Sequence, residues 1–257
     1  MVTWEIFIWF AVPAMILAAG AAVMSMCRHR SISIALAVCA ASMLAVFICG
    51  LWISLERPPL RTMGETRLWY SFFALIAGLL TYVKWRYRWI LSFSAILASV
   101  FMILNITRPE IHDQTMMPAL QSGWFIPHVT VYMFSYSLLG CAFIAALVRL
   151  FRNDGDIMTA ADTLVYIGTA FLTFGMLSGS LWAKEAWGHF WAWDPKETWA
   201  LVTWLSYVLY IHLRTMRKGG DRLACILLIF GFICLQMCWW GVNYLPAAQD
   251  SMHIYNR

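Results

Sequence analysis

The sequence predicts an all-α integral membrane protein, a polytopic bundle of about eight transmembrane helices with both termini on the outer side. Three observations lead to this fold class: the composition, the length of the apolar runs, and the distribution of basic residues. Of the 257 residues, 62% are hydrophobic and 12% are charged, and the mean hydropathy is +0.70. A soluble domain is roughly half apolar and a quarter charged, so this composition is typical of a membrane protein.

The apolar runs supply the helices, because a bilayer core needs about 20 apolar residues per helix. Only Lys84–Arg88 separates the third run from the fourth, which predicts a tight helical hairpin. The chain contains no internal repeat and no linker, so we expect a single integral-membrane domain over 1–257. The predicted spans are 5–26, 33–54, 69–85, 88–106, 127–151, 163–183, 197–215 and 222–241.

The basic residues orient these spans. With both termini outside, eleven of the eighteen Lys and Arg residues fall in inner connections, whereas nine of the thirteen acidic residues fall outside. This bias follows the positive-inside rule and supports both termini on the outer side. The net charge of +5 is therefore a topology signal and does not indicate nucleic-acid binding. The long polar connections fall on the outer face.

The N-terminal run and the cysteines carry no further chemistry in this interpretation. The first run lacks a preceding positive region and an evident cleavage site, so we expect a retained helix. The seven cysteines lie in or beside apolar runs without a C-x-x-C motif, and we expect small buried side chains.

Tryptophan is concentrated between the sixth and seventh runs, where five tryptophans fall within residues 182–199. An interfacial belt needs one or two aromatic residues per helix end. The rings could form an apolar shelf for a planar ligand, with Asp194, Lys196 and Glu197 as its polar edge. The alternative is an interfacial loop that only anchors two helices. Asp194 and Pro195 suit the N-cap and the first position of the seventh helix.

The run W-G-H-F-W-A-W-D-P-K-E-T-W, residues 187–199, resembles the WWD signature of haem-handling membrane proteins. With Y-I-H-L-R at 210–214, it is most similar to the CcsA/ResC family of system II cytochrome c biogenesis. CcmC and CcmF of system I share the tryptophans and the aspartate but usually differ in the residues that follow. The similarity is strong over about 118–215 and weak over the first 110 residues. It implies that a WWD motif at about 184–204 handles haem b.

The resemblance also implies a set of haem-binding residues. Neutral imidazole is the usual axial ligand of haem iron. His128, at the outer start of the fifth span, and His253, beyond the eighth, correspond to outer axial ligands. His212, 15 residues after Glu197 and so about 22 Å deeper along the helix, corresponds to an inner ligand. The implied porphyrin-binding residues of the motif are Trp187, Trp191, Trp193, Asp194 and Trp199.

The sequence departs from the family pattern near the end of the second span. The family has a second transmembrane histidine there, but this chain has Arg57 followed by two prolines. Arginine cannot act as a neutral ligand. We therefore expect Arg57 or Arg61 to pair with a haem propionate, because guanidinium matches carboxylate geometry. Of the other histidines, we expect His112 to be a solvated loop residue and His29 to reflect topology, and His189 receives no role.

The implied function is cytochrome c maturation: haem is translocated or presented at the outer face and attached through thioethers to the C-x-x-C-H motif of apocytochrome c. The chain would act as a synthase or haem lyase subunit with a CcsB/ResB-type membrane partner. A CcmC-type haem transporter without ligation activity is the main alternative, and a quinone- or ion-linked respiratory subunit is a third. We expect a bacterial inner membrane with the functional face periplasmic, with a plastid thylakoid as the other location.

Overall fold

The computed structural model describes residues 2–112, 122–151, 156–216 and 220–246. These residues form helices and no strand, which confirms the all-α fold class. In chain order the α-helices are α1 (Ile8–Met26), α2 (Arg30–Leu55), α3 (Met63–Trp85), α4 (Arg88–Thr107), α5 (Phe125–Phe151), α6 (Asp156–Trp187), α7 (Pro195–Thr215) and α8 (Asp221–Trp239).

Seven of these helices are long and apolar enough to cross a membrane. The exception is α7, which spans 21 residues but begins with the polar sequence Pro-Lys-Glu-Thr. The chain is therefore a multi-span membrane protein, and α7 is the helix with the weakest apolar signal. This difference matters because α7 carries the second half of the tryptophan motif.

The helices pack as two compact units, Met1–Met116 and Met117–Arg257, which we call the N-terminal and C-terminal units. In the N-terminal unit, α1 packs against α2 and α4, and α3 packs against α4 and α2. Its core contains many alanines, among them Ala11, Ala14 and Ala40, together with Leu44 and Phe47. Small residues let helix backbones approach closely, which is how helices associate where burial from water is not the driving force.

In the C-terminal unit, α5 packs closely along α6 and also contacts α8, while α7 packs against α8 and α6. The Ser135 hydroxyl donates to the Gly168 carbonyl at 2.7 Å, which joins α5 to α6. The Trp204 indole donates to Thr173 Oγ1 at 2.8 Å, which joins α7 to α6. Hydrogen bonds between helices therefore reinforce the packing on both sides of α6.

The predicted hairpin is confirmed, since α3 ends at Trp85 and α4 begins at Arg88. Arg86 ends α3 in the left-handed conformation, with φ of 62°. Two expectations need correction. The sixth helix runs on to Trp187 instead of ending near 183, so the connection before α7 is shorter than expected. Of the cysteines, four are buried, but the side chains of Cys27, Cys39 and Cys49 are exposed on the surface.

Candidate functional site

His128 lies in the first turn of α5, with its imidazole packed into a notch on α6. Its Nδ1 is 2.7 Å from the carbonyl oxygen of Gly175. A Cβ atom on Gly179 would lie 2.6 Å from the ring, so only glycine leaves room for it. Because a carbonyl oxygen can only accept, Nδ1 carries the proton and the lone pair is on Nε2. Metal-ligating histidines commonly donate their other N–H to a backbone carbonyl in this way.

Trp182 connects His128 to the tryptophan motif. The rings of His128 and Trp182 stack with centroids 5.4 Å apart and an angle of 25° between planes. Trp182 is 3% exposed, and its ring meets Trp187 edge-on at 4.8 Å, with Phe125 packed beside it. The structure thus brings His128 and Trp187 together through Trp182. The sequence analysis counted Trp182 among the five clustered tryptophans but did not include it in the implied porphyrin-binding set.

The loop between α6 and α7 turns in the left-handed conformation at both ends. Gly188 has φ of 87° and Trp193 has φ of 58°, and the latter is unusual for a bulky residue. The ammonium of Lys184 donates to the Gly188 carbonyl at 2.7 Å, which closes the end of α6. Trp193 is 68% exposed and contacts Trp191 edge-on at 5.9 Å. The loop therefore presents an indole at the surface, where a planar ligand or a partner can reach it.

The two acidic residues of the motif build the start of α7. The Asp194 side chain accepts from the backbone N–H of Lys196 at 2.8 Å as the N-cap of the helix. The Glu197 carboxylate accepts from the N–H groups of Ala192, at 2.8 Å, and Asp194, at 3.2 Å. This is a capping box, with Pro195 at the first helical position as the sequence predicts. Both carboxylates are buried, so they hold the loop in place.

Trp199 and His189 complete the motif. Trp199 is partly buried in the first turns of α7, and its carbonyl accepts from the Thr203 hydroxyl at 2.8 Å. The Nδ1 of His189 and the Nε1 of Trp191 are buried without a hydrogen-bond partner in the part of the chain that the structure describes.

His212 lies on the exposed side of α7. Its neighbours two positions away, Tyr210 and Arg214, both bind Asp162 on α6, at 2.6 Å from the tyrosine hydroxyl and at 2.6 and 2.8 Å from the guanidinium. Two residues correspond to about 200° of helix rotation, so His212 faces away from α6. Arg214 also pairs with Asp221 at 3.1 Å, and this network fixes which face of α7 carries the imidazole.

Arg57 is committed to an internal ion pair in the N-terminal unit. Its guanidinium makes two hydrogen bonds to Glu65, at 2.9 and 3.0 Å, and a third to the Pro58 carbonyl. Glu65 is fully buried and also accepts from the backbone N–H groups of Arg61 and Thr62. A propionate at Arg57 would have to compete with a carboxylate that is already bound in the geometry arginine prefers.

Comparison with known families decides the identity of the chain. The profile of the family described as "Cytochrome C assembly protein" matches residues 60–248, which is most of the chain and covers about half of the N-terminal unit and nearly all of the C-terminal unit. The chain belongs to the cytochrome c assembly family. The match also begins well before residue 118, so the family resemblance extends further into the N-terminal unit than the motifs alone indicate.

Members of the family with high similarity carry the name cytochrome c biogenesis protein CcsA. The chain is 31% identical over 255 residues to CcsA of Cuscuta exaltata, covering 81% of this chain and 83% of that protein. It is 30% identical over 268 residues to CcsA of Panax ginseng, with the same two coverages. For CcsA of Chlamydomonas reinhardtii the identity is 34% over 175 residues, and the chain spans about half the length of that relative (50%).

The family match gives no role to individual residues, so the positions of the predicted haem-binding residues come from the structure alone. His128, Trp187, Trp191, Trp193, Asp194 and Trp199 all lie in the C-terminal unit, close to the α6–α7 loop or to Trp182. Arg57 lies in the N-terminal unit. His253 lies outside the described residues, and its role as a second outer ligand stays a prediction.

Proposed function

We propose that the protein presents haem at the outer face of the membrane and supports its covalent attachment to apocytochrome c. Membership of the cytochrome c assembly family gives the coarser role, cytochrome c biogenesis. The observation that carries the finer proposal is the placement of His128. Its imidazole is held by the Gly175 carbonyl through Nδ1 and stacked on Trp182, with its lone pair on Nε2.

The tryptophan loop is proposed to hold the flat face and edge of the porphyrin. Trp193 is exposed at the tip of the loop, and Trp187 joins that loop to His128 through Trp182. Asp194 and Glu197 act through the loop, because their oxygens bind backbone N–H groups at the start of α7. A platform whose backbone is fixed in advance can orient a ligand without a further ordering cost.

The reaction that such a platform supports needs little acid–base chemistry from the protein. Each cysteine of the C-x-x-C-H motif adds its S–H across one vinyl group, so a C–S bond and a C–H bond form while one C=C π bond and the S–H bond break. Haem supplies the vinyl groups, and the protein positions them. The histidine of the apocytochrome then replaces one imidazole of the presenting protein.

The remaining parts of the proposal concern residues that lie away from this loop. His253 is the proposed second outer ligand and His212 the proposed inner one. His212 lies exposed on the face of α7 that points away from Asp162, where a haem or a membrane partner could reach it.

Both termini are proposed to lie outside, so that the α6–α7 loop faces the outer compartment. The whole chain is proposed to act as one domain with a CcsB/ResB-type partner. The proposed membrane is bacterial, with the periplasmic face as the functional one.

The test is the reduced-minus-oxidised absorption spectrum of the purified protein beside three variants, His128→Ala, His253→Ala and His29→Ala. His29 is an exposed histidine between α1 and α2 in the N-terminal unit and is not part of the proposed site, so its replacement is the matched control. We expect a bis-imidazole spectrum in the wild type and in His29→Ala. We expect it weakened or lost in the other two variants and restored by added imidazole.

A second assay separates ligation from haem carriage. The haem-loaded protein with its partner is mixed with apocytochrome carrying either C-x-x-C-H or A-x-x-A-H, and covalent haem is measured after denaturation. Covalent haem on the first substrate alone supports the proposal. Haem binding without covalent product would favour the transporter alternative, and a purified protein with no Soret band would rule out the haem site.

A further inference from the structure

His112 is partly buried against the helices of the N-terminal unit, which corrects the expectation of a solvated loop residue. It ends the short 3-10 helix Pro109–His112. Its imidazole stacks on the indole of Trp4, with ring centroids 3.9 Å apart and planes 5° apart. A Cβ atom on Gly64 would lie 2.3 Å from the imidazole, so the ring fits only because the second residue of α3 is a glycine.

Two polar atoms at this position have no hydrogen-bond partner among the described residues. They are Nε2 of His112 and Oδ1 of Asn105, and both are shielded from solvent. Both atoms also lie about 3 Å from the same point, the Cβ position of Gly64 (3.0 and 3.1 Å). The Asn105 amide is 2% exposed and is fixed in orientation because its nitrogen donates to the Gly64 carbonyl at 3.2 Å. Because both atoms lie about 3 Å from that point, the Asn105 oxygen and the His112 nitrogen are at most about 6 Å apart.

Buried polar atoms in native proteins are almost always satisfied, if not by protein groups then by ordered water or another small ligand. The two atoms come from different elements, the 3-10 helix and α4, and they converge beside α3. Neighbouring charges do not satisfy them, because the Glu65 carboxylate is already bound by Arg57 and by two backbone N–H groups. A ligand that fits must be small, neutral and able to hydrogen-bond in two directions.

We propose that His112 and Asn105 bind one buried water molecule, which clamps the Pro109–His112 turn onto the outer ends of α3 and α4. The water donates to Asn105 Oδ1 and forms its second hydrogen bond with His112 Nε2. Trp4 covers one face of the imidazole. The clamp lies in the N-terminal unit and is independent of the haem proposal, which rests on the C-terminal unit.

The clamp responds to acidity. Burial lowers the pKa of His112, although the carboxylates of Glu65 on α3 and Glu110 on the turn oppose this effect. Both carboxylates are themselves paired with arginines, Glu65 with Arg57 and Glu110 with Arg108. Because the folded pKa is below the unfolded value of about 6.5, stability from the clamp is complete above that pH. It is lost as pH falls through the folded pKa.

The experiment combines a structure with a set of variants. An experimental map at a resolution that shows ordered water should contain one water peak within hydrogen-bond distance of both atoms. In detergent, His112→Phe and Asn105→Leu should each lower the midpoint of thermal unfolding, and the double variant should lower it by less than the two shifts added. His112→Phe should also lose the fall in stability below pH 6.5 that the wild type shows.

Two control variants separate the loss of the water-mediated contact from the loss of the titrating imidazole. His112→Gln retains a hydrogen-bonding side chain, so it should keep the coupling to Asn105 while losing the pH dependence. His29→Phe removes an exposed histidine and should change neither property. A map with a direct bond between His112 and Asn105, or with no density between them, would overturn the proposal, and so would additive shifts in the double variant.

Discussion

The start of α3 in the N-terminal unit and the start of α7 in the C-terminal unit are both capping boxes. Glu65 of the first also binds the side chain of Arg57, whereas the oxygens of Glu197 in the second bind backbone N–H groups. Glu65 and Arg57 form a bidentate pair with the carboxylate fully buried. Asp194 and Glu197 cap α7 through N–H groups and leave Trp193 exposed beside them. The first arrangement is closed to a charged ligand, while the second builds a rigid loop that a ligand can contact.

The two histidines at these ends show the same contrast. One face of the His112 ring is stacked on Trp4, and its Nε2 is shielded from solvent. His128 is held through Nδ1, and its lone pair is on Nε2. The arrangement of His128 is the one that metal-ligating histidines commonly show, which is why the proposed haem site lies in the C-terminal unit. Under the same proposal, the N-terminal unit gives structural support.

The largest expected effect is from Glu65→Gln. It leaves the Arg57 guanidinium without its carboxylate, and breaking a buried pair on one side costs about 3–5 kcal/mol. We expect a marked fall in the thermal unfolding midpoint. Glu185→Gln, at the end of α6, is the control. Because Glu185 is exposed and accepts a hydrogen bond from the Ser122 hydroxyl, this substitution should change stability little.

The outcome of Glu65→Gln also tests the comparison. If Arg57 serves the fold, the haem spectrum per folded molecule should match that of the wild type. A folded Glu65→Gln protein that gains or loses haem selectively would mean that Arg57 contacts the ligand, and the division between the units would not hold.

A smaller effect is expected from Gly179→Ala. The new Cβ would lie 2.6 Å from the His128 ring, and overpacking of this kind costs about 1–3 kcal/mol. The ring must shift to make room, which disturbs its hydrogen bond to the Gly175 carbonyl. We therefore expect the haem absorbance per mole of purified protein to fall. Gly123→Ala is the matched control, since a Cβ there meets no atom within 4 Å. Equal spectra in the two variants would contradict the assignment of His128 as a ligand.

The sequence predicted the helices well because the length of an apolar run is a local property of the chain. It also predicted the start of α7, since an Asp-Pro-x-Glu pattern caps a helix whatever surrounds it. What it could not predict were contacts between distant segments. Trp182 stacks on His128, and Trp4 stacks on His112. The residues of each pair are far apart in sequence, so no local sequence pattern indicates that they are in contact.

The same reasoning explains two side-chain contacts that the sequence analysis did not predict. His112 is polar and lies in a polar connection, so local composition predicts exposure, but the glycine at 64 makes space for its ring. The pairing of Arg57 with Glu65, eight residues further along the chain, was not predicted either, and the pairing of Arg57 with a propionate stays a prediction. In both cases the contacted residue belongs to α3.

The smallest effect is expected from Asp194→Asn, and it tests how the C-terminal site works. Asparagine is as good an N-cap as aspartate, so the stability should stay close to that of the wild type, whereas Asp194→Ala should lose about 1 kcal/mol. If Asp194 acts only by shaping the loop, Asp194→Asn should load haem normally and Asp194→Ala should load less. Haem titration followed by absorption, with thermal unfolding on the same samples, measures both properties.

A stable Asp194→Asn variant that fails to load haem would show that the negative charge itself acts on the ligand. The capping box would then be only part of the role of Asp194, and the C-terminal unit would commit a charge directly to the haem site.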